Sequence, residues 1–169
     1  MLTIQCTKKL ADELKINVVK VKPLVLNPLY AWHAHLFFIQ RHKCVLVMNN
    51  HTRYNFLMYG LKKADFNNFD NIVIDAIREN LLFDGNDESI VEKYMQGCGQ
   101  VIYTATSDRS VVGQINEMRF AIEYHSEDDR VDGKETDISE LNRWLNKFIM
   151  SKLSLGYSGE TMKLALLEI

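Results

Sequence analysis

The sequence predicts an α+β domain: a mainly antiparallel sheet, centred on a three-stranded meander, with helices packed on one face. Three observations predict it. Segments of strand composition crowd the first 60 residues, polar connectors of three or four residues join three of them, and the hydrophobic period changes to three and four residues from Asp65 onward. Runs of strands followed mostly by helices build this class of fold.

In order along the chain, residues 2–6 read as a short strand, and Thr7 as the N-cap of a helix over residues 8–14, with Leu10 and Leu14 on one face. Residues 18–25 alternate Val19 and Val21 against Lys20 and Lys22, an edge or half-exposed strand ended near Pro23. Asn27-Pro28 breaks the chain. Residues 30–39, 43–48 and 53–59 are the meander, because connectors as short as Gln40-Arg41-His42 and Asn49-Asn50-His51-Thr52 favour hairpins.

After Gly60, a stripe of Phe69, Ile72, Val73, Ala76, Ile77 and Leu81 predicts a helix from Asp65. A shorter helix carries Ile90, Val91 and Tyr94 and stops at Gly97-Cys98-Gly99. Residues 100–106 form a strand, and Ser110 caps a helix buried through Val111, Val112, Ile115, Met118 and Ile122. An acidic loop over 127–137 precedes a helix carrying Leu141, Trp144, Leu145, Phe148 and Ile149. The tail beyond Gly159 fits either type of element.

The chain has 169 residues, 47% hydrophobic and 25% charged, with two prolines and eight glycines, so residues 1–169 are expected to form a single domain without a flexible linker. No apolar run approaches the roughly 18 to 20 residues of a membrane-spanning helix, and MLTIQCTKKL lacks the pattern of a secretory signal. The expectation is a cytoplasmic protein without a membrane partner. Cys6, Cys44 and Cys98 are odd in number and widely spaced, and read as free thiols.

The net charge of −2 hides an asymmetry: residues 1–63 hold ten Lys/Arg against Asp12 and Glu13, and the remainder ten against twenty acidic residues. Either a basic face awaits an anionic partner, or oppositely charged parts attract each other within or between copies.

Two stretches carry chemistry. In the first, Trp32-His33-Ala34-His35 precedes Arg41-His42-Lys43-Cys44. On a strand His33 and His35 share a side, which suits a metal-holding pair, but no third ligand is near in sequence and no metal is expected. The same histidines with Arg41, Lys43 or Arg53 are candidates for acid, base and phosphate stabiliser in a metal-independent, toxin-like ribonuclease, with His33, His35 and Arg41 as its catalytic group. In the second stretch, a helix starting at Ser110 would offer free N–H groups beside Arg109 to an anion. Gly113 costs a helix roughly 1 kcal/mol against alanine, so a close approach there is expected, flanked by Arg109 and Asn116. Tyr30, Trp32, Tyr54 and Tyr59 with nearby cations also match a surface for single-stranded nucleic acid, as strand core equally would. GxxxxGK[ST], GxGxxG, GxSxG and HExxH motifs are missing, against the common nucleotide-binding, serine-hydrolase and zinc-protease classes, and no cofactor is expected.

The succession Thr7-Lys8-Lys9-Leu10, Trp32-His33-Ala34-His35-Leu36, Arg41-His42-Lys43-Cys44, Gly60-Leu61-Lys62-Lys63-Ala64-Asp65-Phe66 and Asp108-Arg109-Ser110-Val111-Val112-Gly113-Gln114-Ile115-Asn116-Glu117 resembles, over most of the chain, a family of small bacterial proteins classed as a domain of unknown function. The departures are Val112 and Gln114-Ile115, where the family carries Leu and Ser-Met. The resemblance implies a bacterial or phage source and draws attention to Trp32, His33, Arg109, Ser110, Gly113 and Asn116, but brings no activity. The expected function is therefore a non-enzymatic binding or regulatory module for an anionic small molecule, nucleic acid or protein, its ligand held by those six residues.

Overall fold

The computed structural model describes residues 1–18, 20 and 27–169. The strand expected over 18–25 lies largely outside the described residues. Within them the chain is α+β, a five-stranded sheet flanked by helices. The strands are β1 (Leu2–Cys6), β2 (Ala31–Ile39), β3 (His42–Asn49), β4 (Asn55–Tyr59) and β5 (Val101–Ala105), in spatial order β4-β3-β2-β1-β5.

The meander forms as expected: β2 pairs antiparallel with β3, and β3 with β4. Gln40 takes a left-handed conformation (φ 54°) in the β2–β3 turn. At the next turn Asn49 substitutes for missing backbone partners, its Oδ1 accepting from the N–H groups of His51 and Thr52 while its Nδ2 donates to the Leu29 carbonyl. The rest of the sheet corrects the expectation. β1 runs parallel to both β2 and β5, so the sheet is mixed.

Helices cover both faces rather than one. On one face Ile4, Trp32, Ala34, Leu36, Val47 and Phe56 meet α1 (Lys8–Leu14), α3 (Phe69–Phe83), α4 (Glu88–Gln96) and α7 (Ser158–Leu167). α2 (Lys63–Asn67) adds Phe66 to the same cluster. On the other, Phe37, Cys44, Leu46 and Leu57 meet Val111, Ile115, Met118 and Ile122 of α5 (Arg109–Val131) and Leu141 and Leu145 of α6 (Ile138–Leu145). Strands buried on both sides lose alternation, which is why the middle of β3, Cys44 to Met48, reads Cys-Val-Leu-Val-Met without a polar residue.

Several boundaries move. The helix predicted from Asp65 is divided at Asn68 into α2 and α3. α5 continues to Val131, through the first part of the acidic segment expected to be loop, and its N-cap is Asp108, not Ser110. α6 ends at Leu145, short of Phe148 and Ile149, and the tail is helical as α7. All three cysteines are free and buried. Among the described residues no helix is long and apolar enough to cross a membrane.

Candidate functional site

Parallel pairing of β1 with β2 sets Gln5 beside His33 on the face covered by α5. The β3–β4 turn then folds Asn50 over both. His33 Nδ1 lies 2.7 Å from Asn50 Oδ1, Asn50 Nδ2 donates to Gln5 Oε1 at 2.5 Å, and Gln5 Nε2 donates to Ser107 Oγ at 2.7 Å. With Asn50 Oδ1 as acceptor, the proton of neutral His33 sits on Nδ1. Nε2 is left as a lone pair, and this nitrogen is buried without a hydrogen-bond partner. Burial lowers the His33 pKa, against the pull of Asn50 and the Asp108 carboxylate.

Arg53 closes the cluster. It occupies the left-handed region at φ 60°, uncommon for a residue with a side chain, and only 8% of it is exposed. Nη1 donates to the Asn50 carbonyl and Nη2 to Ser110 Oγ at 3.3 Å, while the buried Nε has no hydrogen-bond partner. Among the described residues no carboxylate lies within 4.0 Å of it. Burial lowers its pKa, and Asp108 is the acidic group that opposes this. Two stretches far apart in sequence thus meet: His33 connects through Asn50 and Arg53 to Ser110.

The start of α5 differs from the expected anion site. Asp108 Oδ1 accepts from the N–H groups of Ser110 (2.8 Å) and Val111 (3.3 Å), so a carboxylate already occupies positions that a ligand would need. Arg109 is exposed beside it. Gly113 and Asn116 are exposed further along α5, and a Cβ on Gly113 would meet nothing within 4 Å, so no close approach among the described residues explains this glycine.

Trp32 faces the opposite side of the sheet. It is fully buried, its indole N–H donating to Tyr94 Oη at 3.1 Å, with Tyr54 and Phe56 edge-on to its ring at 6.4 and 6.0 Å. It is core, not ligand surface. Tyr54 is buried in the same core and Tyr30 stacks on Tyr94 at 4.7 Å, leaving Tyr59 as the exposed ring of the four aromatics.

The proposed ribonuclease group does not converge. His33 lies six positions along β2 from Ile39, the last residue before the turn bearing Arg41, a rise of about 20 Å. His35 Nδ1 approaches Thr7 Oγ1 at 3.3 Å, and its pKa falls to about 4 through burial and the cations Arg119 and Lys9, so at pH 7 it is the neutral imidazole and not the imidazolium that a general acid needs. Among the described residues no three His, Cys, Asp or Glu side chains are arranged as metal ligands.

Gln5, Asn50, Ser107 and Asp108 escaped sequence reasoning as site residues, and Arg53 entered only as one of several cations. Ser107 also lines a cavity of about 650 Å³ at the carboxyl ends of β1 and β5, together with Cys6, Lys8, Asp12 and Lys20. There the chain leaves β1 into α1 on one face and leaves β5 toward α5 on the other. A divergence of this kind opens a crevice between neighbouring parallel strands.

A family model described as a domain of unknown function (DUF6933) matches residues 3–160. No curated protein and no solved structure matches the chain.

Proposed function

The chain belongs to this family of domains of unknown function, and from that premise we propose that it is a non-enzymatic binding module for an anionic ligand, recognised at Arg53. The carrying observation is a guanidinium only 8% exposed with no carboxylate within ion-pair distance among the described residues, beside a fully buried imidazole nitrogen that lacks a partner.

A cation removed from water costs several kcal/mol unless a counter-charge and hydrogen bonds offset it. Guanidinium carries five N–H donors in a rigid fork suited to carboxylate and phosphate. The ligand's anionic group sits where Arg53 meets Ser110, and its body extends past Ser107 into the 650 Å³ cavity, where Lys8 is paired with Asp12 at 2.8 Å and Lys20 adds positive charge. Asp108 serves as a brace: by capping α5 it fixes Ser110 against Arg53. This moves the centre of recognition from Arg109 and Trp32 to Arg53 and His33.

The test is a calorimetric titration with inorganic phosphate and with a nucleoside monophosphate at low salt. Saturable binding is expected for the wild type, weakened about tenfold or more by Arg53→Met, the loss of one charged contact. Arg109→Ala should matter much less. Absence of saturable binding by either anion, or equal affinity in Arg53→Met, overturns the reading.

A further inference from the structure

At the opposite end of β2 lies a second surface that uses none of these residues. His42, the first residue of β3, stacks on Tyr59, the last of β4, with ring centroids 5.0 Å apart and planes 18° from parallel. Both rings are exposed, Tyr59 by 41%. They border a cavity of about 470 Å³ that also holds Lys134, and His42 borders a second one of about 330 Å³ with Arg41, Lys62 and Lys63.

The neighbouring charges are largely unspent. Lys43 is paired with Glu13, and Arg130 with Glu127. Arg41, Lys62, Lys63 and Lys134 form no ion pair among the described residues. Glu135 is the acidic side chain lining the larger cavity. Three cations of the basic first 63 residues, Arg41, Lys62 and Lys63, are thus joined by Lys134 from the acidic remainder around an aromatic pair.

From this geometry we infer that the His42–Tyr59 end of the sheet binds single-stranded nucleic acid. An unpaired base stacks on the exposed ring pair, and the flanking phosphates meet Arg41, Lys62, Lys63 and Lys134. Stacking on an aromatic platform is tolerant of sequence, and a lysine-rich groove follows the backbone without reading it. A duplex keeps its bases stacked on one another and leaves the rings unused. An acidic peptide would satisfy the cations but leave the rings uncovered.

The test is fluorescence anisotropy with a labelled single strand of about a dozen nucleotides, within the range of strand-binding sites. Four phosphate contacts predict a slope of about −3 in log affinity against log salt. Tyr59→Ala should weaken binding about tenfold, Tyr59→Phe should restore it, and Arg41→Glu with Lys63→Glu should abolish it. Arg41 and Lys63 are exposed and make no side-chain hydrogen bond among the described residues, so this double variant is expected to fold, which thermal unfolding verifies. Arg53→Met, remote from this surface, should bind the strand as the wild type does. No binding at low salt, equal affinity for duplex or polyglutamate, or a Tyr59→Ala variant that binds normally overturns the inference.

Discussion

The side-chain amide of Asn142 lies against the backbone of Leu57 as a neighbouring strand would, accepting the Leu57 N–H at 2.7 Å and donating to the Leu57 carbonyl at 3.1 Å. One turn later Asn146 does the same to Asn55, at 2.9 and 2.8 Å. Four helical residues rise about 6 Å and two strand residues about 6.6 Å, so the spacings match. α6 thereby closes the edge of β4, which would otherwise present unpaired groups to other chains.

Asn142→Ala should accordingly destabilise the protein by about 2 to 4 kcal/mol, because two buried backbone groups lose their partners together. Urea unfolding measures this. A loss below about 0.5 kcal/mol would mean that water or a shifted α6 replaces the amide.

Trp32 separates core from site. Trp32→Phe removes the bond to Tyr94 and leaves a small void, a cost of about 1 to 3 kcal/mol. Its effect on phosphate affinity should stay within about twofold, since the side chain points to the opposite face of the sheet from Arg53 and its hydrogen bond goes to Tyr94, which takes no part in the site. A large loss of affinity in a variant that remains folded would return Trp32 to the ligand surface.

How much was legible follows from which features are local. The meander was, because short polar connectors dictate antiparallel neighbours. The parallel pairing of β1 with β2 and β5 was not, because nothing within a five-residue strand records which distant strand it joins. The covering of both faces had a signal that the meander reading passed over: the unbroken apolar run from Cys44 to Met48 marks a strand with no solvent side. In the site, Ser110 was found through its helix-start chemistry, yet Asp108, two residues earlier and equally suited to capping, holds the N-cap. The choice between Arg53 and Arg109 turns on burial alone, and burial is decided by the β3–β4 turn closing over His33.

Gly113 gives a prediction of opposite sign. It sits in a regular, exposed stretch of α5 with open space around a Cβ, so Gly113→Ala should stabilise the protein by about 0.5 to 1 kcal/mol through helix propensity. For a chain of this length that is a rise in Tm of about 1 to 4 °C, readable by scanning calorimetry. Destabilisation would show that a neighbour approaches this helix face.

His35 makes stability depend on pH between its two pKa values. In the unfolded chain it takes a proton near its ordinary value of 6.5, whereas in the folded chain burial, then Arg119 and Lys9, delay this to about pH 4. Between those limits the unfolded state binds more protons, so stability rises with pH. The contribution is complete above pH 6.5 and is lost as pH falls toward 4. His33, also lowered, acts in the same sense, while Asp84, whose pKa is raised by burial, acts in the opposite one upward from its ordinary value of 3.8. Only a comparison with a variant isolates His35. His35→Gln keeps a polar side chain and cannot titrate, so its stability relative to the wild type should improve as pH drops from 6.5 to 4 and remain constant above 6.5. Parallel urea midpoints across that window would mean that His35 charges in the folded protein as readily as in the unfolded one, and that its shielding behind Phe37 and Thr7 is not real in solution.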